Sequence, residues 1–102
     1  MELLATKKFE ALVIKEYSIT PTVESLGNCL NELNLYKLDN NEFFLEWFVM
    51  DLNGNEIESA EIGIWVDEKN NVTDYDGIFS LPSEIVDLLK EHNIFYDVSL
   101  NN

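Results

Sequence analysis

Residues 42–67 read EFFLEWFVMDLNGNEIESAEIGIWVD, and this stretch decides the fold. Asn53-Gly54 near its centre is a strong hairpin signal, because both central residues of a type I′ turn need positive φ. A two-residue turn there pairs Leu52 with Asn55. The register then runs outward through Met50 with Ile57, Phe48 with Ser59, Glu46 with Glu61 and Phe44 with Gly63. Side chains alternate across a strand, so Phe43, Leu45, Trp47 and Val49 join Ala60, Ile62, Ile64 and Val66 on one apolar face, the expected core. The opposite face mixes Phe44, Phe48, Met50, Ile57 and Trp65 with Glu46, Ser59 and Glu61. Two arrangements fit such a face: a neighbouring element covers the rings while the glutamates point past it, or the face binds a basic partner. Glu46 and Glu61 would lie within about 5 Å of each other across the strands, unfavourable unless a cation or a proton relieves them.

Downstream, a turn at Asn70-Asn71 follows Asp67-Glu68-Lys69 and returns Val72 to Asp76 as a third antiparallel strand. That strand brings Asp74 and Asp76 beside the hairpin, with Asp67 opposite Asp74, and Gly77 ends it. Leu81-Pro82-Ser83-Glu84 opens a helix with the apolar stripe Ile85, Leu88 and Leu89, and Asn93 is its left-handed terminator. Ile94, Tyr96, Val98 and Leu100 then alternate with Phe95, Asp97 and Ser99 as a last strand.

Upstream, Lys8 to Ile19 alternates as a strand, with Phe9 and Ala11 on one side and Glu10 and Leu12 on the other; a helix from Glu2 to Ile14 is the rival. Thr20-Pro21 reads as an N-cap followed by proline at the first helical position, opening a helix to Asn34 with the stripe Val23, Leu26, Leu30 and Leu33. The resulting order, β-α-β-β-β-α-β, predicts the α+β class: one two-layer domain over residues 1–102, a mainly antiparallel sheet with both helices packed on one face.

Charge is distributed unevenly. Residues 39–102 hold fifteen carboxylates against two lysines, a net −13 of the chain's −14, and the chain has no arginine. Such a field repels nucleic acid and anionic membrane and attracts cationic protein surfaces. Direct nucleic-acid binding is excluded on this ground, because affinity for phosphates depends on Lys and Arg. A hydrophobic content of 46% with 12% aromatics nonetheless fills a real core, unlike an acidic disordered chain. No stretch approaches the roughly 18 apolar residues of a membrane span. The N-terminal residues lack the charge order of a signal peptide, and the lone Cys29 suits a reducing compartment, so a cytoplasmic location is expected.

No catalytic or cofactor signature stands out. Asp51-Leu52-Asn53-Gly54-Asn55 begins like an EF-hand loop, but Glu56 occupies the position that needs glycine and Ile62 the position that needs the bidentate glutamate. General acid/base work could be assembled from Glu46 and Glu61, or from Asp67, Asp74 and Asp76. Twenty carboxylates bring some pairs together by chance, so a solvated face is the simpler account. One His92 and one Cys29 do not make a zinc site, and His92 is better placed to complement a helix C-terminus. Cys29 reads as a small core residue.

The chain is therefore expected to be a non-enzymatic, acidic protein-binding module without cofactors. It would dock Glu46, Glu61, Asp67, Glu68, Asp74 and Asp76, with Phe44, Phe48 and Trp65, on a basic surface of a nuclease or effector complex. An inhibitor or nucleic-acid mimic of the phage counter-defence, anti-CRISPR-like type is the leading form. An immunity protein against a basic nuclease toxin shares all these features, and a housekeeping domain whose charge serves solubility is the plain alternative. An uncovered aromatic face would also suit a homodimer.

Overall fold

The computed structural model describes residues 1–12, 28–78 and 80–97. Five strands, β1 (Glu2–Leu12), β2 (Asn28–Asp39), β3 (Glu42–Met50), β4 (Glu56–Val66) and β5 (Val72–Asp76), precede a single described helix, α1 (Ser83–Glu91). The strands form one antiparallel sheet in the order β1-β2-β3-β4-β5. The fold is thus mostly β, and the two-helix α+β arrangement is overturned.

The decisive difference lies in β2, where residues 28–34 form a strand in place of the expected end of a helix. Cys29, Leu33 and Leu35 are buried at alternate positions, but Asn31 breaks the apolar row. Its side chain is buried as well: Nδ2 donates to the Cys29 carbonyl at 3.2 Å, and Oδ1 accepts the Trp47 indole N–H at 2.9 Å. With a polar residue inside the core row, Leu30 and Leu33 mimic a helical spacing. Residues 20–27 of the expected helix lie outside the described residues. β1 begins at Glu2, not Lys8, because an irregularity between Leu3 and Ala5 hides its alternation; the rival helix from Glu2 does not form. Residues 13–19 of the expected strand again lie outside the described part.

In the β3–β4 hairpin the pairs Phe44–Gly63, Glu46–Glu61 and Phe48–Ser59 are as expected. The turn is different. Gly54 N–H bonds back to the Asp51 carbonyl at 3.0 Å and Asp51 N–H to the Asn55 carbonyl at 2.9 Å, so three residues, Leu52 to Gly54, make the loop, and Gly54 alone takes positive φ. The extra loop residue is compensated by a bulge at Ile57, which sets Met50 against Glu56 and restores the outer register. The β4–β5 turn repeats the design with Asn70 in the left-handed position, so Asp67 faces Asn71 and not Asp74.

Phe43, Leu45, Trp47, Val49, Ile62, Ile64 and Val66 are buried on one side of the sheet, and Ala60 is half-buried with them. Leu81, Ile85, Leu88, Leu89 and Ile94 join the same cluster, so α1 covers this core face. The helix closes with Asn93 at positive φ, Asn93 N–H bonding to the Lys90 carbonyl and Ile94 N–H to that of Leu89. Beyond it the expected last strand reduces, within the described residues, to one parallel bridge between Phe95 and Asn71. Cys29 is fully buried, and burial with the nearby Asp51 charge pushes its thiol up. No helix among the described residues is long and apolar enough to cross a membrane.

Candidate functional site

The sheet has a second side, and no described element lies over it. Directly opposed residues of antiparallel strands point the same way, which assembles this outer face row by row. Leu3, Tyr36, Phe44, Gly63 and Asp76 form one row; Thr6, Asn34, Glu46 and Glu61 the next; Lys8, Glu32, Phe48 and Ser59 a third. On the other side of the first row, Glu42, Trp65 and Asp74 are in line. Phe44, Phe48, Trp65 and Glu46 are half-buried, whereas Glu61, Asp74 and Asp76 are exposed. Rings and carboxylates therefore share one surface, as the hairpin sequence implied.

Electrostatics divide the face. On the β1–β2 side Lys8 meets Glu32 at 3.6 Å, and Thr6 Oγ1 donates to Asn34 Oδ1 at 2.7 Å while Asn34 Nδ2 donates to Glu32 at 3.0 Å. Strands β3, β4 and β5 contain no lysine. There the directly opposed pair Glu46–Glu61 stands with Asp76 in the adjacent row and Glu42 and Asp74 in the row beyond it. Glu46 accepts the Tyr36 hydroxyl at 2.9 Å, and that bond, with partial burial and the negative field of Glu46 and Glu32, raises the Tyr36 phenol above its ordinary range. Tyr36 also packs against Phe44, their ring centres 6.0 Å apart.

Trp65 has an unusual seat. A Cβ placed on Gly63 would lie 2.9 Å from its Cη2 and 3.3 Å from Cζ3, so the benzo end of the indole occupies the space over Gly63, on the path from Trp65 to Glu61 along β4. Only glycine leaves room for that ring.

Asp67 and Glu68 do not belong to this face. Asp67 Oδ1 accepts the N–H groups of Lys69 and Asn71, both at 2.9 Å, and these bonds hold its carboxyl below the usual range. Glu68 is exposed at the tip of the same turn. Asp51 builds the other turn in the same way, through Asn53 and Asn55 N–H at 2.9 Å, so the calcium-loop likeness is a likeness of turn chemistry. Asp74 and Asp76 accept the N–H of Tyr75 at 2.9 Å and of Gly77 at 2.8 Å. Among the described residues no group of three or more His, Cys, Asp or Glu is placed to hold a metal ion.

Residues missed by sequence reasoning are Thr6, Lys8, Glu32, Asn34 and Tyr36. All come from β1 and β2, and the alternation of Glu32, Asn34 and Tyr36 against Leu33 and Leu35 was the available signal. A cavity of about 320 Å³ beside β5 is lined by Asn71, Val72, Phe95, Tyr96 and Asp97, and a smaller one of about 100 Å³ by Val72, Thr73, Asp74, Tyr75 and Tyr96. No protein-family model, curated protein or solved structure matches the chain.

Proposed function

We propose that the chain is a protein-binding domain that docks the outer face of its sheet on a basic protein surface, acting as an inhibitor of a nuclease or effector complex. The observation that carries this reading is the Glu46–Glu61 pair, opposed across β3 and β4 in a field of half-buried rings with no lysine on either strand. Like charges directly across a sheet are unfavourable in the free molecule, and a docked cation relieves them. Tyr36, Phe44, Phe48 and Trp65 supply the aromatic contact area on which protein interfaces draw most of their affinity. The interleaving of rings with carboxylates favours a protein contact over plain imitation of a phosphate chain. A single cysteine, with no second one in the chain to pair with, is in keeping with a reducing, cytoplasmic setting.

Affinity capture from host cells with the wild-type chain and with a Glu46→Gln, Glu61→Gln, Asp74→Asn, Asp76→Asn variant tests the proposal. Asp67 is left intact because it builds a turn. A basic protein retained only by the wild type at about 50 mM salt, and released near 0.5 M as screening sets in, is the expected result. Capture that survives both the salt and the substitutions overturns it.

A further inference from the structure

We infer that the centre of the outer face seats an arginine side chain of the docked protein, its guanidinium lying on the Trp65 indole and forking onto Glu61 and Glu46. The inference rests on the docking function proposed above and identifies the chemistry of the partner's anchor.

Three observations converge on it. The first is the aromatic floor: the benzo end of Trp65 lies over Gly63, and Phe44 is the residue directly opposite Gly63 on β3. The next residue on this face of β4 is Glu61, roughly 6.7 Å further along at the usual strand rise. A planar cation stacked on the face of the benzo ring is thus within reach of the carboxylate pair.

The second is preorganisation. The Tyr36 hydroxyl holds Glu46 Oε1 at 2.9 Å, which fixes that carboxylate in place and leaves Oε2 for another donor. The Glu61 carboxylate, exposed, makes no hydrogen bond or ion pair with the side chain of any described residue. Two glutamates directly opposed across the strands, their Cβ atoms about 5 Å apart at the usual spacing, suit the forked donors of a guanidinium, which also stacks on aromatic faces. An ammonium is a compact point charge that satisfies the carboxylates without covering the ring.

The third is charge complementarity with the whole molecule. A net charge of −14 favours a cationic occupant, and the chain contains no arginine. A second copy of this chain therefore cannot supply the anchor, and the occupant is a different protein bearing an exposed arginine.

The molecule carries its own reporters. Trp47 is buried, with its indole N–H on Asn31, whereas Trp65 is half-buried on the docking face. Titrating the ¹⁵N-labelled chain with an octa-arginine peptide and with octa-lysine at equal charge and low salt separates the possibilities. Octa-arginine is expected to move the Trp65 indole signal, to leave that of Trp47 in place, and to bind about two- to fivefold more tightly than octa-lysine, the scale of an exposed cation–π contact. Glu61→Gln and Trp65→Leu each remove that preference. Gly63→Val, which displaces the ring without altering charge, abolishes the preference while retaining charge-driven binding, and the unmoved Trp47 signal shows that each variant is folded. Equal binding of the two peptides with Trp65 unmoved overturns the arginine seat and leaves the docking function standing. Failure of both peptides to bind overturns the two together.

Discussion

Glu58 sits on the core-facing side of β4 opposite Val49, with 9% of its surface exposed and no hydrogen-bond partner for either carboxylate oxygen among the described residues. A buried carboxylate without partners loses its hydration and gains nothing in exchange. Glu58→Met keeps a long flexible side chain and removes the polar group, so it should raise stability by about 1–3 kcal/mol. Urea denaturation checks this, and a lower midpoint in the variant would refute it. Asn31 is the opposite case, a buried polar residue whose two functional ends are both used, by the Cys29 carbonyl and the Trp47 indole. Sequence alone does not separate the two. An Asn in an apolar row looks like a break in the row, and a Glu in a charged stretch looks like surface, until the neighbouring strand is in place.

Among the elements, the two turns Asp51–Asn55 and Asp67–Asn71 are built alike, each around an aspartate that accepts two backbone N–H groups and is held below its usual pKa mainly by them. A depressed folded value means that the stabilisation is complete above the ordinary Asp value of about 3.9 and is lost as pH falls through the lower folded value. The melting temperature should therefore drop on acidification below about pH 4. In a double Asp51→Asn, Asp67→Asn variant that drop should be shallower, starting from a lower melting temperature at neutral pH. Identical pH slopes in the two proteins would contradict the account. The β3–β4 register was legible because alternation over nine and eleven residues overdetermines it, even though the turn itself is one residue longer than its Asn-Gly pair suggests. The loop and the Ile57 bulge cancel, and period-2 reasoning sees only their sum. Helix α1 was legible for the same reason, its stripe and both ends marked by residue types. Strand β2 was not, and with it went half of the outer face: the hairpin displayed Glu46 and Glu61, but Tyr36, Asn34 and Glu32 are assembled only once residues 28–34 are recognised as extended.

For the whole molecule, the excess of negative charge acts on folding and on docking with opposite signs. Self-repulsion at net −14 weakens the compact state. Raising salt from about 10 mM, where the screening length is about 30 Å, to about 0.5 M should raise the melting temperature. The same change should dissociate the docked complex. Differential scanning calorimetry in sodium chloride measures the first, and a melting temperature that falls or stays flat would show that the charges are already balanced within the fold.

Cys29 gives the molecule a clock. Its thiol is wholly shielded at the start of β2, beneath the core, and its ionisation is disfavoured by burial and by Asp51. A thiol reagent can reach the sulfur only when the sheet opens, so labelling under native conditions should proceed at the rate of global unfolding and accelerate in step with denaturant. Labelling that is fast and indifferent to urea would mean that β2 detaches by itself while β3 and β4 remain paired.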